Sequence, residues 1–202
     1  MLTDLPNLLT LSRIAAVPLV VGLVALRQPG ADLAASLVFG LAAVTDWLDG
    51  HLARSRHQAS DLGRMLDPIA DKLLVGAALM VLAGEGRLGG GALFPAIVIL
   101  LREILVSGLR EYLAGIRVGL PVTRLAKWKT GVQLLAVGFL LAGDAGARVI
   151  GLGALRPLVL GTGLLWIAAA LTLLTGWDYL MAGVRHASGA ARVAPGAEKK
   201  PG

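Results

Sequence analysis

The 202-residue sequence predicts an all-α, polytopic membrane protein with six transmembrane helices in one bundle. Hydrophobic residues make up 56% of the chain and charged residues only 16%, against about 25% in an average soluble domain. A helix that crosses the hydrocarbon core of a bilayer needs about 20 mainly apolar residues. Six stretches qualify: residues 8–26, 33–52, 65–83, 92–112, 125–142 and 153–177.

Composition also limits the chemistry. The chain has no cysteine, which excludes a disulfide framework and a thiolate metal site. The formal net charge is +6, but aromatic residues are only 4% of the chain, too few for a base-stacking surface. We therefore expect the basic residues to face anionic membrane lipid, with no nucleic-acid partner.

The loop charges predict the orientation. An even number of spans puts both termini on one side of the membrane. Residues 53–64, 110–129 and the C-terminal tail together carry twelve Lys and Arg, whereas the opposite connections carry four, namely Arg27, Arg87, Arg148 and Arg156. Because basic loops are retained on the cytoplasmic side, we expect both termini and both long loops in the cytoplasm.

One domain is expected. The bundle is assigned to residues 1–186, and the tail at residues 187–202, rich in alanine, glycine and proline, is expected to be disordered. The stretch 8–26 follows a segment without Lys or Arg, so we interpret it as a retained helix and not as a cleaved signal.

Four aspartates lie where the second span ends and the third begins. Asp46 and Asp49 are three residues apart, and Asp67 and Asp71 are four apart. Residues at these spacings share one face of a helix. Because the connection between the spans is short, we expect antiparallel neighbouring helices whose aspartate pairs converge at one depth.

Four carboxylates at the edge of the membrane need positive charge to compensate them. An isolated carboxylate in a membrane costs about 2.5–3.5 kcal/mol on insertion scales, and like charges also repel one another. Mg²⁺ or Mn²⁺ would relieve both effects, since hard cations prefer carboxylate oxygens, and four carboxylates suffice for two ions. The alternative is a set of helix caps or ion pairs with Arg54, Arg56, Arg64 and Lys72.

Between the aspartate pairs lie small residues and an arginine. Gly50 and Gly63 would let a ligand approach the backbone closely. Arg54 could bind a ligand phosphate that the metal also contacts. Its alternative role is that of an interfacial arginine whose charge reaches the headgroup region.

Written as a pattern, the segment is Asp46-x2-Asp49-Gly50-x2-Ala53-Arg54-x8-Gly63-x3-Asp67-x3-Asp71. It resembles the complete signature of the CDP-alcohol phosphatidyltransferase family, with every fixed position filled. Residues 5–13, 66–73, 102–111 and 127–130 are also similar to bacterial members of the family that use sn-glycerol 3-phosphate as acceptor.

The resemblance implies an enzyme of the bacterial cytoplasmic (inner) membrane. It would transfer a phosphatidyl group from CDP-diacylglycerol to sn-glycerol 3-phosphate, giving phosphatidylglycerol phosphate and CMP, with its active site on the cytoplasmic side. A homodimer is implied as well. The metal ligands would be Asp46, Asp49, Asp67 and Asp71, and the CDP moiety would lie at Asn7, Thr10, Gly50, Arg54, Ser60 and Gly63.

The resemblance also implies that Asp71 doubles as the catalytic base. A carboxylate with a raised pKa suits this role. On spacing alone, any of the four aspartates could take the proton.

A phosphorylated acceptor needs cations of its own. The candidates are Arg102, Arg110, Lys127 and Lys129. Arg102 lies inside an apolar span beside Glu103, where orientation in the membrane is a weak explanation, although a structural pairing with Glu103 remains the alternative. For the basic residues near helix ends, the alternative is the topology signal itself.

Two other functions remain open. The same chemistry could use serine, inositol phosphate or phosphatidylglycerol as acceptor. A cation transporter could also use intramembrane carboxylates. Against it, all four aspartates lie at one membrane face, and we place only Glu85 and Asp144 at the opposite face. No internal repeat supports a transporter either.

Overall fold

The computed structural model describes the backbone of residues 5–56, 61–115 and 124–190. Within these ranges the chain forms six α-helices and no strand, which confirms the predicted fold class. The helices are α1 (Leu5–Ala25), α2 (Pro29–Arg56), α3 (Asp61–Gly84), α4 (Leu93–Gly115), α5 (Arg124–Val149) and α6 (Pro157–Ala190). A short 3-10 turn at Gly153–Leu155 precedes α6.

Each predicted span falls within or overlaps one of these helices. The helix α6 continues past residue 186, where we expect the bundle to end, and residues 191–202 lie outside the described part of the chain. The expected disorder of the tail therefore stays a prediction.

Helix length and hydropathy fit a bilayer. Three described segments are long and apolar enough to cross a membrane: Leu8–Ala25, Leu125–Val149 and Gly153–Trp177. In α2 and α3 the apolar segments among the described residues are Pro29–Thr45 and Lys72–Gly84. In α4 the apolar run is interrupted by Arg102 and Glu103.

The outer surface is apolar on several helices. Leu37, Met80, Phe94 and Trp128, one each from α2 to α5, are 67–71% exposed. Soluble monomers rarely expose apolar surface on this scale. Lipid is the environment in which such a surface is stable, and the chain is a polytopic membrane protein.

Helices α1 and α5 each pack mainly against two other helices. Among the described residues, α1 packs against both α2 and α3, while α5 packs against α2 and α6, and α4 packs mainly against α6. Side chains from all six helices fill the core, including Val20, Phe39, Leu82, Ile99, Leu140 and Leu165. A Cβ on Gly161 would lie 2.8 Å from Leu140 Cγ, so the close approach of α5 and α6 requires glycine there.

A break in α5 lies at the predicted end of the fifth span. Gly143 has φ 61° and ψ 167°, a left-handed value of φ that glycine adopts readily. Helical hydrogen bonding is interrupted there, and Arg87 Nη1 donates to the carbonyl of Leu141 at 2.7 Å. Arg87 Nη2 also binds Asp32 Oδ1 at 2.6 Å.

The first turn of α6 is hydrogen-bonded to the segment that follows the break in α5. Pro157 is its first residue, which suits a position whose N–H would have no helical partner. The N–H of Leu158 donates to Asp144 Oδ1 at 3.0 Å. This side chain therefore caps the helix from the segment that follows the break in α5.

These contacts bring three connections to one end of the bundle. Arg27, between α1 and α2, binds Glu85, between α3 and α4, at 2.9 Å. Arg87 reaches the break in α5. Asp32 is a third acidic residue at this end, so the expectation of only Glu85 and Asp144 there was wrong.

We predict that the Arg87–Asp32 pair stabilises the bundle. Both side chains are largely buried, and removing one partner of a buried pair leaves an uncompensated charge. Arg87→Met should reduce the free energy of unfolding by about 2–4 kcal/mol, measured as a lower Tm in detergent. The control is Arg27→Met, whose side chain is 73% exposed in its pair with Glu85. It should cost less than about 1 kcal/mol, and equal losses in the two variants would contradict the assignment.

Candidate active site

The aspartate pairs occupy matching positions on two successive helices. Asp46 precedes the end of α2 at Arg56 by ten residues, and Asp71 follows the start of α3 at Asp61 by ten. At a rise of about 1.5 Å per residue, both positions lie about 15 Å from the ends that the connection joins. The side chains of Asp46, Asp49, Asp67 and Asp71 lie outside the described part of the structure.

Helix α1 lies against both of these helices. It packs on α2 and on α3, whereas a direct α2–α3 contact, which we expect from the short connection, is not among the principal contacts of the described residues. Thr10 and Arg13 of α1 are 0% and 1% exposed and share one helix face. The bundle thus buries a polar face of α1 in the turns nearest its N-terminus.

Arg13 was missed as a candidate site residue. The signal was present, because an arginine inside the apolar stretch 8–26 has to be compensated by its surroundings. Of the residues expected to bind CDP, Thr10 is the one whose side chain is described. Asn7, Gly50, Arg54 and Gly63 lie within helices without described side chains, and Ser60 lies outside the described residues.

A second polar cluster joins α4, α5 and α6. Arg102 Nη1 donates to Glu103 Oε1 at 3.0 Å, and Lys129 Nζ donates to the same oxygen at 2.5 Å. Arg102 Nη2 donates to Thr175 Oγ1 at 2.9 Å. One carboxylate oxygen therefore binds two cations that come from different helices.

This cluster, which we call the Glu103 network, is largely buried. The side chains of Lys129, Arg102 and Glu103 are 5%, 12% and 24% exposed. Arg102 lies across α6 so closely that a Cβ on Gly176 would be 3.2 Å from its Cγ. The pairing of Arg102 with Glu103 that we kept as an alternative occurs, and Lys129 shares it.

The four cations predicted to bind an acceptor phosphate divide into two groups. The structure brings Arg102 and Lys129 together at Glu103. Arg110 and Lys127 are exposed, on the stretches of α4 and α5 nearer to residues 116–123. The buried pair would act on an anion through a less polar medium than the exposed pair.

Two further polar side chains lie one helical turn away from the network. Gln133 follows Lys129 by four residues, and Thr172 precedes Thr175 by three, so each shares the buried face of its neighbour. Gln133 Oε1 and Thr172 Oγ1 are buried and have no hydrogen-bond partner in the part of the chain that the structure describes. Sequence analysis missed them, although polar residues at turn spacing inside apolar spans were a usable signal.

No group of three or more His, Cys, Asp or Glu among the described side chains is placed to hold a metal ion. That set does not include the four aspartates of α2 and α3. A metal site on these four stays a prediction.

The fold and the two polar clusters define a polytopic helical membrane protein with charged sites built into its bundle. The chain belongs to the CDP-alcohol phosphatidyltransferase family, whose model matches residues 3–174. The match includes all four aspartates and the Arg102, Glu103 and Lys129 side chains. Membership in the family, predicted from the aspartate pattern, is confirmed.

Named relatives cover most of the chain. The protein from Rickettsia bellii is 43% identical over 89% of this chain and 94% of its own length. The protein from Cereibacter sphaeroides is 40% identical, over 87% of this chain and 93% of its own length. Both are named CDP-diacylglycerol–glycerol-3-phosphate 3-phosphatidyltransferase. A rice protein, 40% identical over 85% of this chain and 55% of its own length, is named cardiolipin synthase (CMP-forming).

We predict opposite effects of one substitution at two threonines of α6. Thr175→Val removes the hydroxyl that accepts from Arg102, and should cost about 1.5–3 kcal/mol because that bond involves a charged group. Thr172→Val removes a buried hydroxyl without a described partner, and should leave stability unchanged or raise it by about 1 kcal/mol. Both are measured as Tm in detergent. A larger loss for Thr172→Val than for Thr175→Val would contradict this description of the network.

Proposed function

We propose that this chain transfers the phosphatidyl group of CDP-diacylglycerol to sn-glycerol 3-phosphate, forming phosphatidylglycerol phosphate and CMP. The observation that carries the proposal is the matched placement of two aspartate pairs on α2 and α3. The names of the Rickettsia and Cereibacter relatives support this donor and this acceptor.

The reaction is a substitution at phosphorus. The acceptor's hydroxyl oxygen attacks the phosphorus of the phosphatidyl group, and the bond from that phosphorus to the CMP oxygen breaks. The electron pair leaves with CMP, and we assign the acceptor's proton to the carboxylate of Asp71. Catalysis of this kind depends mainly on positioning and on charge neutralisation.

Carboxylate oxygens such as those of Asp46, Asp49, Asp67 and Asp71 are the ligands that a hard divalent cation prefers. The similar distances of the two pairs from the connected ends of α2 and α3 support a shared site. We propose that these four aspartates hold Mg²⁺ or Mn²⁺, with two ions as the full complement. Such ions neutralise charge on a diphosphate and on the departing nucleotide.

The donor nucleotide is proposed to lie beside α1. The buried Thr10 and Arg13 support this, because α1 packs on both aspartate-bearing helices. Asn7, Gly50, Arg54, Ser60 and Gly63 are proposed to contribute to the same subsite. The diacyl chains would extend into the surrounding membrane lipid.

The acceptor phosphate is proposed to bind Arg102 and Lys129, with the exposed Arg110 and Lys127 nearer the connection between α4 and α5. Arginine can bind a phosphate through two parallel hydrogen bonds, and lysine supplies a compact charge. The buried position of Arg102 and Lys129 supports a larger contribution from this pair.

We further propose that the bundle spans the bacterial inner membrane. Both termini and the α2–α3 and α4–α5 connections would lie on its cytoplasmic side. The imbalance of basic residues between the two ends supports this orientation. The proposed assembly is a homodimer.

Of the two alternatives, another acceptor has specific support and a cation transporter does not. The name of the rice relative supports a CMP-forming reaction with a different product. The acceptors that the sequence leaves open beside sn-glycerol 3-phosphate are serine, inositol phosphate and phosphatidylglycerol. A cation transporter would need acidic groups along a path to the other end. There, Asp32 binds Arg87, Glu85 binds Arg27, and Asp144 caps α6, so these acids have structural partners.

The test is release of CMP from CDP-diacylglycerol by the purified protein in detergent. We predict release only when both a divalent metal and sn-glycerol 3-phosphate are present. Asp71→Asn should lower kcat at least a hundredfold, since general-base catalysis contributes about 10²–10⁴, while metal-dependent donor binding remains.

Glu85→Gln, at the opposite end of the bundle, is the matched control and should retain activity. Release with serine or inositol phosphate in place of glycerol 3-phosphate would overturn the acceptor. Normal turnover by Asp71→Asn would remove its role as base.

A further inference from the structure

Glu103 is the junction of the network between α4, α5 and α6. Its Oε1 accepts hydrogen bonds from Arg102 Nη1 at 3.0 Å and from Lys129 Nζ at 2.5 Å. The two donor nitrogens can therefore be no further apart than the sum of these distances, about 5.5 Å. At that separation both can reach oxygens of one phosphate group.

Charge repulsion makes this arrangement unstable without an anion. Two cations so close together repel strongly where little water is present, and Lys129 is only 5% exposed on its side chain. With Glu103 ionised, the three side chains carry a net charge of +1. The carboxylate therefore keeps both cations in place and leaves an excess positive charge for a ligand.

The rest of the network fixes the orientation of Arg102. Its Nη2 donates to Thr175 Oγ1, and that hydroxyl donates to the carbonyl of Leu171 within α6. The guanidinium is thus held on one side by α6 and on the other by Glu103. Lys129, by contrast, has Glu103 as its described hydrogen-bond partner.

We propose that Glu103 is a positioning residue that holds Arg102 and Lys129 at the spacing needed to bind the phosphate of the acceptor. This rests on the proposed function, because it assumes that these two cations bind that phosphate. Glu103 does not touch the reacting atoms. Its contribution is to the affinity for a phosphomonoester, and a neutral or zwitterionic acceptor would gain nothing from it.

The experiment compares Glu103→Gln with the intact protein in detergent. Glutamine keeps the shape and an acceptor oxygen but removes the charge, so it holds Arg102 and Lys129 together less strongly. We expect the KM for sn-glycerol 3-phosphate to rise about tenfold or more, while kcat and the KM for CDP-diacylglycerol stay within about threefold. Glu103→Asp, which keeps the charge, should recover part of the loss.

The direction in which the KM for sn-glycerol 3-phosphate changes distinguishes two roles of the Glu103 carboxylate. Removing a negative charge beside a phosphate site would by itself strengthen phosphate binding. A lower KM in Glu103→Gln would therefore mean that Glu103 only offsets charge, and would overturn the positioning role. An unchanged KM together with a lower Tm would mean that Glu103 only stabilises the fold, and would also overturn the positioning role.

A double-mutant cycle with Lys129→Met tests whether Glu103 acts through the lysine. If it does, Glu103→Gln should raise the acceptor KM much less in the Lys129→Met background than in the intact protein. Full additivity would contradict the proposal. If Glu103→Gln does not fold, the same cycle with Glu103→Asp gives the answer.

The single variants Arg102→Ala and Lys129→Met separate this inference from the proposed function. If both leave the acceptor KM unchanged, the phosphate binds elsewhere and the proposed acceptor site fails. If both raise it and Glu103→Gln does not, only the role of Glu103 fails.

Discussion

The burial of charge inside an apolar bundle is the constraint on which the rest of this structure depends. Every ionised group placed among apolar helices needs a partner of opposite charge or a ligand. The described part of the chain meets this need with short contacts between helices that are distant in sequence, such as Asp32 with Arg87 and Glu103 with Lys129. These contacts fix the positions of the helices as well as balancing charge.

The two ends of the bundle use charge differently. At the end that holds the α1–α2, α3–α4 and α5–α6 connections, each acid in an ion pair binds a single base. The other contacts there satisfy backbone groups, at the break in α5 near Gly143 and at the start of α6 at Pro157. Toward the other end, two cations share the carboxylate of Glu103, and four aspartates occupy α2 and α3. The first arrangement pairs its charges one to one. In the second, the three side chains of the Glu103 network carry a net charge of +1, and the proposed chemistry is assigned there.

The sequence predicted the six helices and the family because both depend on local signals, namely long apolar stretches and eight residues at fixed spacing. It could not predict which helices touch. The position of α1 against both α2 and α3 depends on packing between residues distant in sequence. The expected contact between the aspartate-bearing ends of α2 and α3 stays a prediction. Asp32 was missed at the far end because its partner, Arg87, is distant in sequence. Likewise, Arg102 and Lys129 were predicted as ligands of one phosphate, but their common dependence on Glu103 appears only when α4 and α5 are brought together.

The proposed function requires that acidic side chains from α2 and α3 bind the same divalent cations. Titration of the purified protein with Mn²⁺, followed by electron paramagnetic resonance, tests it most directly because it needs neither substrate. We expect saturable binding of one or two ions that is weakened at least tenfold both by Asp49→Asn on α2 and by Asp67→Asn on α3, with Asp144→Asn as the control. Binding that is unaffected by either change would contradict a metal site shared between the two helices.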